Sequence, residues 1–292
     1  MKVLNFGSLN IDYVYTADHL VTAGETLAAE DMMIFAGGKG LNQSVAISKT
    51  GLKVYHAGLV GNDSEILLDT CRKSGVDTTY IHEVPGKGGH TIIQVDKKGQ
   101  NAILLYGGSN RKLTKPFIDE VLSDFSEGDI VLLQNEVNLL DYIIEKAYEI
   151  KMTIILNPSP FDSGIDACDL TKINIFLVNE IEGKQISGAK EPDKILDYMM
   201  DKYPESKVIL TLGEEGSYYC DKEKRFRQDI FPAKVVDTTA AGDTFTGYFI
   251  YGLVKGLPIE KSMEVCTKAA SIAVSRKGAA ASIPYLREVL QA

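Results

Sequence analysis

Short apolar runs that alternate with helical patterns limit the fold of this chain more than any other feature. Runs this compact and apolar are typical of strands that are covered on both faces. They are Val3–Phe6, Val54–Ala57, Ile130–Leu133, Thr153–Leu156, Ile175–Val178 and Val208–Thr211. Amphipathic helices are expected between them, as over Leu139–Ile150 and Pro192–Lys202. We therefore predict a three-layer α/β/α sandwich with a mostly parallel central sheet.

A few strand-like segments do not join this alternation. Met32–Ala36 is one, and Thr91–Val95 and Asn101–Leu105 flank a polar, glycine-containing loop that predicts a hairpin. The 292 residues contain no repeat, low-complexity stretch or domain linker. We predict a single α/β domain over residues 1–292, with a small β-sheet lid formed by segments near 11–16, 31–36 and 90–106.

Charge and cysteine content argue against several classes of partner. The formal net charge of -9 disfavours nucleic acid and anionic membranes. No apolar run approaches the ~20 residues of a membrane span. The cysteines are far apart, which fits reduced thiols, and no apolar signal-like run follows Met1. We expect a cytoplasmic protein without nucleic-acid or membrane partners.

The common nucleotide and metal motifs are missing from the sequence. There is no G-x-x-x-x-G-K-[ST] phosphate loop, no G-x-G-x-x-G after the first strand and no H-E-x-x-H pair. A metal held entirely by side chains is therefore not expected.

The segment Asp237–Phe245 combines small residues with two acids, and we expect a helix over Asp243–Lys255. Free backbone N–H groups and the helix dipole at such a start can hold a phosphoryl group. Asp243 could accept a proton from a hydroxyl aimed at that group. The alternative is a plain N-cap aspartate, which the second acid, Asp237, makes a weaker interpretation.

A second segment, Phe35–Gln43, is rich in glycine and precedes a predicted helix. Its glycines allow the backbone to approach a ligand closely. Lys39 and Asn42 place a cation and an amide beside that backbone. The alternative is a tight turn between strand and helix that carries a solvated lysine.

With both segments in this order, the sequence resembles the ribokinase family of carbohydrate kinases along essentially its whole length. Gly7–Asp12 resembles the family's first-strand sugar motif, and Asn179–Glu182 its N-x-x-E motif. Thr211–Gly216 resembles the loop that lines the ATP site. Arg276–Ala279, with Ser282, resembles the loop that helps to bind a monovalent cation.

The resemblance implies transfer of the γ-phosphoryl group of ATP to the primary hydroxyl of a small sugar. Asp243 would accept the hydroxyl proton, and the turn Ala240, Ala241 and Gly242 would stabilise the phosphoryl charge. The sugar ligands carried over from the family are Asn10, Asp12, Gly38, Lys39, Asn42, Glu136 and Asp243. The lysine between the glycines favours D-ribose over fructose.

The resemblance also implies nucleotide, ion and protein partners. ATP would contact Asn179, Thr211, Gly213, Gly216 and Thr267. Mg²⁺ would bind the ATP phosphates, largely through water, near Glu182. A monovalent cation, K⁺, would bind Asp237, Thr239, Ala273, Arg276, Gly278 and Ser282. Two lids would pair in a homodimer.

Two residues depart from the family pattern. Thr267 stands where relatives often carry Asn or His beside adenine, and Thr91 replaces a smaller residue in the lid. Another pentose, fructose or a nucleoside therefore stays open as acceptor. A catalytically silent sugar or nucleotide sensor is the further alternative. Asp243, Gly242 and Lys39 weigh against it, because a pure binder needs no base.

Overall fold

A nine-stranded sheet forms the centre of the protein, whose computed structural model describes residues 1 to 292. The strands are β1 Val3–Phe6, β2 Asn10–Thr16, β3 Asp31–Gly37, β4 Val54–Val60, β5 Asp77–Glu83, β6 Gly89–Val95, β7 Asn101–Tyr106, β8 Ile130–Gln134, β9 Thr153–Asn157, β10 Ile175–Asn179, β11 Lys207–Thr211, β12 Ser217–Cys220 and β13 Arg225–Gln228. The central order is β13-β12-β11-β10-β9-β8-β1-β4-β5. Its strands run parallel except at the β12 and β13 edge, which is antiparallel.

Helices cover both faces of this sheet. They are α1 Lys39–Lys49, α2 Glu65–Ser74, α3 Lys115–Leu122, α4 Leu140–Glu149, α5 Glu180–Ser187, α6 Pro192–Lys202, α7 Ala241–Val254, α8 Ile259–Val274 and α9 Leu286–Gln291. α3 to α6 pack on one face, and the remaining helices pack on the other. None of them is both long and apolar enough to cross a bilayer.

The layering explains why the strands are apolar at successive positions. Val3 points into one core and Leu4 into the other, and both are buried. Because each face of a buried strand meets a layer of helices, polar alternation is lost. The predicted fold class is confirmed.

The sequence missed the two strands at one edge and the start of one helix. β12 and β13 form a hairpin that was not expected. α7 begins at Ala241 and not at Asp243, because the turn closes earlier, with Ala241 N–H donating to Thr238 O at 3.3 Å. Asp243 therefore lies inside the first turn of α7, and the N-cap interpretation is wrong.

The small sheet has the order β3-β2-β6-β7 and stands beside the central sheet. β2 pairs antiparallel with β3 and parallel with β6, and β7 pairs antiparallel with β6. Only Gly7–Leu9 separates β1 from β2. The base of this lid therefore lies at the carboxyl end of β1.

Polar side chains gather at that edge of the central sheet. β8, β9, β10 and β11 end at Gln134, Asn157, Asn179 and Thr211. Carboxyl ends of parallel strands meet at one edge, which is where open α/β sheets bind ligands. The topology thus places the candidate site between the lid, this edge and the starts of α1 and α7.

Candidate active site

The carboxylate of Asp243 is buried at the start of α7 and is held from α1. Its Oδ2 accepts a hydrogen bond from Asn42 Nδ2 at 3.1 Å. Its Oδ1 accepts one from Gln43 Nε2 at 2.9 Å. These two hydrogen bonds fix the direction of the carboxylate, which suits a side chain that accepts a proton from a bound hydroxyl group.

A close crossing of α1 and α7 brings these groups together. Gly247 lies one turn after Asp243, and a Cβ added there would be 2.4 Å from Ala46 Cβ. Ala46 in turn lies one turn after Asn42. The two helices approach so closely because position 247 has no side chain.

The backbone before α7 turns sharply and leaves donors free. Ala240 adopts a left-handed conformation with φ 61° and precedes the first helical residue. Thr244 N–H donates to Ala240 O at 2.8 Å, whereas the N–H groups of Gly242 and Asp243 have no acceptor in the chain. A Cβ added at Gly242 would meet nothing within 4 Å. These donors and the helix dipole can bind an anion beside the Asp243 carboxylate.

A cavity of about 220 Å³ lies in front of this turn. Lys39, Asn179, Glu182, Gly242 and Asp243 contribute to its lining. Burial alone would lower the pKa of Lys39, but the nearby carboxylates, Asp243 foremost, raise it above its ordinary value. The cavity therefore contains a charged ammonium group and free N–H groups, which suit a phosphoryl group.

Asn179 and Glu182 have a structural role as well as a place in this cavity. Asn179 caps α5, its Oδ1 accepting from the N–H groups of Ile181 and Glu182, both at 2.9 Å. Glu182 Oε2 accepts from Asn179 N–H at 3.1 Å, which completes a capping box. Both side chains are thereby held in fixed positions at the wall of the cavity.

A second, mainly apolar cavity of about 270 Å³ adjoins the first. Thr211 and Gly242 line both, so the two form one groove. Gly213 and Gly216 adopt positive φ values of 55° and 90° beside the second cavity. Thr267 lines it too, but its hydroxyl donates to Met263 O at 2.8 Å.

On the lid side, Asn10 and Asp12 are buried at the base of β2. Asn10 Oδ1 accepts from Asn110 Nδ2 at 2.7 Å, and Asp12 Oδ1 accepts from Thr91 Oγ1 at 2.6 Å. Burial raises the pKa of Asp12 to about 6, although the bond from Thr91 opposes that shift. Thr91, which we singled out in the lid, thus contacts the chain's own Asp12.

Glu136 and Asn42 complete the polar wall on this side. Glu136 Oε2 accepts from Ser8 Oγ and from Lys39 N–H, the latter at 3.3 Å. Burial raises the pKa of Glu136, and the charge of Lys39 counteracts part of that rise. Asn42 Oδ1 is buried without a partner in the chain. Gly38, with φ 92°, turns the backbone between β3 and α1.

The candidate cation residues lie on two loops that Asp237 joins. Asp237 Oδ1 accepts from Thr239 N–H and Oδ2 from Gly278 N–H, both at 2.9 Å. Burial alone would raise the pKa of Asp237, but these hydrogen bonds together lower it below its ordinary value. Ser282 is fully buried, and its hydroxyl donates to Ala279 O. The Arg276 guanidinium is itself a cation and pairs with Glu288 at 2.6 Å, so only the backbone carbonyl of Arg276 can serve as a cation ligand.

Sequence reasoning missed several polar residues behind the site. Gln43, Gln134 and Asn5 are all fully buried, and Asn110 and Ser8 contact predicted ligands. Gln43 directly follows Asn42 in the glycine-rich segment, which is a usable signal. Nothing in the sequence links Asn5 or Gln134 to Gln43, since they approach only in the folded sheet.

The fold and site together define a phosphotransferase: a buried carboxylate, free N–H groups at a helix start and a groove that leads from an apolar cavity to a polar one. The chain matches the model of the pfkB family carbohydrate kinases over residues 1–286 and belongs to that family. It is therefore a carbohydrate kinase.

Named relatives agree with this family. The chain is 32% identical to a ribokinase of Haemophilus influenzae, over 98% of this chain and 96% of that protein. It is 29% identical to a deoxyribokinase of Salmonella typhi, over 99% and 97% of the two chains. A structure of Arabidopsis thaliana ribokinase complexed with ribose and ATP has a TM-score of 0.87 and 29% identity, covering 99% of this chain and 97% of that one.

Proposed function

We propose that this kinase transfers the γ-phosphoryl group of ATP to the 5-hydroxyl of D-ribose, with Asp243 as the general base. The observation that carries the proposal is the Asp243 carboxylate, buried between the polar lid side and the free N–H groups of α7. The hydroxyl proton passes to Asp243. The hydroxyl oxygen forms a bond to the γ-phosphorus while the bond from that phosphorus to the β-phosphate oxygen breaks, which leaves ADP and D-ribose 5-phosphate.

The lid side supports a polyhydroxylated acceptor. Asp12, Asn42 and Glu136 are buried, and Asn42 Oδ1 has no partner in the chain. Buried acceptors without donors are costly, so a ligand that brings several hydroxyl groups into this space is favoured. Asn10 and the backbone at Gly38 border the same space, because β2 and α1 both start there.

The phosphoryl charge would be neutralised by groups of the chain. The N–H groups of Gly242 and Asp243 and the turn at Ala240 and Ala241 face the cavity that Lys39 lines. Donors fixed in advance stabilise charge that develops in a transition state. Lys39 is thus assigned to the phosphoryl side of the groove as well as to the sugar side.

Mg²⁺ fits the part of the cavity wall that Asn179 and Glu182 form. Glu182 offers a buried carboxylate and Asn179 stands beside it, so these residues would hold the ion through its water ligands. Mg²⁺ would supply charge neutralisation on the ATP phosphates.

K⁺ fits the loops joined by Asp237. The donor set is an ionised carboxylate and backbone carbonyls at Thr239, Ala273, Arg276 and Gly278, with the hydroxyl of Ser282. All-oxygen sets suit hard cations. Because Thr239 directly precedes Ala240, an ion here would stiffen the phosphoryl-binding turn.

The second cavity supports adenine binding. Its lining includes Phe231, Ala270 and Val274. Gly213 and Gly216 line it too and have no side chain to narrow it. An apolar slot with few polar groups is typical of a site for a flat base. Thr211 stands where this slot meets the phosphoryl cavity.

A panel of acceptors tests the proposal by ADP release. D-ribose should give the highest kcat/KM, ahead of 2-deoxyribose, fructose and nucleosides. Loss of one hydroxyl from a buried polar site costs about 1–3 kcal/mol, so 2-deoxyribose should be clearly poorer. Because two relatives are named deoxyribokinase, a higher kcat/KM with 2-deoxyribose than with D-ribose would move the proposal to that substrate. A nucleoside or fructose that surpasses ribose would overturn it.

We also propose a homodimer formed through the lid. β7 is exposed along its whole length, and Ile103 and Leu104 are 59% and 67% exposed. Open, apolar edge strands tend to pair with another strand or sheet. Sedimentation should show a dimer at micromolar concentration, and Leu104→Lys should weaken it. A fully active monomer would contradict the proposal.

A further inference from the structure

We propose that Gln43 is a positioning residue for Asp243: its side-chain amide, oriented by Gln134 and Asn5, keeps the carboxylate aimed at the acceptor hydroxyl. The inference rests on the proposed role of Asp243 as the base. It starts from a network of buried, hydrogen-bonded side-chain amides that runs from the proposed base into the sheet.

Gln43 uses both of its side-chain donors at the site. Its Nε2 donates to Asp243 Oδ1 at 2.9 Å and to Asn157 Oδ1 at 3.4 Å. The amide could only do so with its nitrogen toward Asp243. The opposite orientation would place Oε1 against a carboxylate oxygen, which is repulsive.

Gln134 determines that orientation. Its Nε2 donates to Gln43 Oε1 at 2.7 Å and to Asn5 Oδ1 at 2.9 Å. Since both protons of Gln134 are thereby used, Gln43 must present oxygen to Gln134 and nitrogen to Asp243. Gln134 is fully buried, so bulk water does not reach either bond.

Asn5 is oriented in turn by the backbone. Its Nδ2 donates to Gly40 O at 2.8 Å and to Ser44 Oγ at 2.8 Å. A carbonyl oxygen only accepts, so Gly40 fixes which end of the Asn5 amide faces Gln134. One backbone group thus sets the direction of three successive amides.

The hydrogen-bond network ends at a histidine, His56. Ser44 Oγ lies 2.8 Å from His56 Nδ1, and His56 Nε2 lies 3.2 Å from Gly7 O. The carbonyl requires Nε2–H, so Nδ1 accepts from Ser44. Burial lowers the pKa of His56 to about 4, which leaves it neutral at physiological pH. No other member of this hydrogen-bond network carries a charge that would compete with Asp243 for the amide donors.

The alternative is that these amides only fill space between α1 and the sheet. The two possibilities differ in what they predict for the reaction. A positioned donor stabilises the ionised carboxylate and limits its rotation, so its loss should affect kcat and the pH profile. A space-filling amide should affect only folding stability. The charged groups that face Asp243 are Lys39 and Glu136, and both remain in every variant below.

The test compares Gln43→Met, Gln43→Glu and Gln134→Met with the wild-type chain. Gln43→Met should lower kcat about 10- to 100-fold, with little change in sugar KM, because a misaimed base costs turnover more than binding. The acid limb of its kcat–pH profile should move to higher pH. Gln43→Glu places a like charge beside Asp243 and should move that limb further. Gln134→Met should show a smaller change in the same direction.

Two controls separate the possible failures. Ser206→Ala removes another buried hydrogen bond, to Ile173 O on the far side of the sheet, and should lower stability without changing the pH profile. Asp243→Asn tests the base itself: if it keeps its activity, the proposed function fails. If Asp243→Asn is inactive but Gln43→Met keeps kcat and its acid limb, only this inference is overturned. Should Gln43→Met not fold, Gln134→Met, which leaves Gln43 in place and removes only the donor that orients it, decides by the same criteria.

Discussion

The two ends of the proposed active-site groove are built from opposite kinds of surface. At the lid end, Asp12, Glu136 and Asn42 are buried polar groups, and Asn42 Oδ1 has no hydrogen-bond partner in the chain. At the proposed nucleotide end, the lining is mainly apolar, and Thr267 directs its hydroxyl to its own helix. The lid end should therefore discriminate sharply between acceptors, since an unmatched buried polar group is costly. The nucleotide end should tolerate small changes.

The largest effect is expected where the two ends meet. Asp243→Asn should lower kcat about 10²- to 10⁴-fold, the usual contribution of a positioned general base. Asn cannot take up the hydroxyl proton. It can still accept from Gln43, and Asn42 can rotate to offer its unpartnered Oδ1 to the new amide. Steady-state rates would measure the loss of turnover, and calorimetry would show whether the affinities for ATP and sugar change with it. A kcat within about fivefold of wild type would remove Asp243 from the role of base.

The next effect concerns the turn at Gly242 that is proposed to bind the phosphoryl group. Gly242→Ala should fold normally, because its Cβ meets nothing within 4 Å of the protein. A methyl group there would point into the groove and displace the phosphates. Since a displacement of 1 Å can cost about 10²-fold, we expect kcat/KM for ATP to fall by about tenfold or more.

Gly247→Ala is the matched control for Gly242→Ala. On the same helix, it places a methyl group 2.4 Å from Ala46 Cβ. It should destabilise the chain by about 1–3 kcal/mol, because overpacking pushes α1 and α7 apart. Thermal unfolding of both variants distinguishes the two glycines. Equal losses of stability would contradict the assignment of Gly242 to ligand contact.

At the lid end, Asp12→Asn should weaken sugar binding and raise the stability of the sugar-free protein. Its sugar KM should rise about tenfold, in keeping with loss of a charged hydrogen-bond acceptor. The pKa of Asp12 is raised from 3.8 to about 6, so its burial in the ionised form costs on the order of 3 kcal/mol at neutral pH. Without sugar, the variant should therefore be more stable than wild type at pH 7. Thermal unfolding with and without ribose measures both effects.

The pH dependence of this difference has a definite sign. Between pH 3.8 and about 6, folded Asp12 keeps a proton that the unfolded chain has lost. As pH rises through that window, folded Asp12 loses its proton and the wild-type free energy of unfolding decreases. This decrease is complete above the window. The advantage of Asp12→Asn should vanish at about pH 4. An advantage that grows as pH falls would show that Asp12 is not the group responsible.

The smallest effect is expected at the nucleotide end. Thr267→Val preserves the shape of the side chain and removes a hydroxyl that already donates to Met263 O. The KM for ATP should stay within about threefold, since an apolar wall is retained. Measured KM values for ATP and GTP would check this. A tenfold rise for ATP alone would show that adenine depends on the hydroxyl and would weaken the contrast between the two ends.

Much of the site could be predicted because its residues lie in contiguous segments. Asp237–Phe245 and Phe35–Gln43 each carry small residues beside functional ones, a local pattern that a ligand-binding turn requires. The exact start of α7 could not be predicted, because the left-handed turn at Ala240 uses a residue that has no preference for it.

By itself, the sequence determined the layered α/β architecture, the glycine-rich turns and the acids beside them, since these depend on periodicity and local backbone freedom. Tertiary structure decided what surrounds Asp243. Gln43 and Gln134 are 91 residues apart, and Gln134 and Asn5 are 129 residues apart, yet they form one chain of hydrogen bonds. Only the pairing of β1 with β8 and the packing of α1 across them bring these amides together. Hydrogen bonds require contact within about 3 Å, and a linear sequence does not contain such distances.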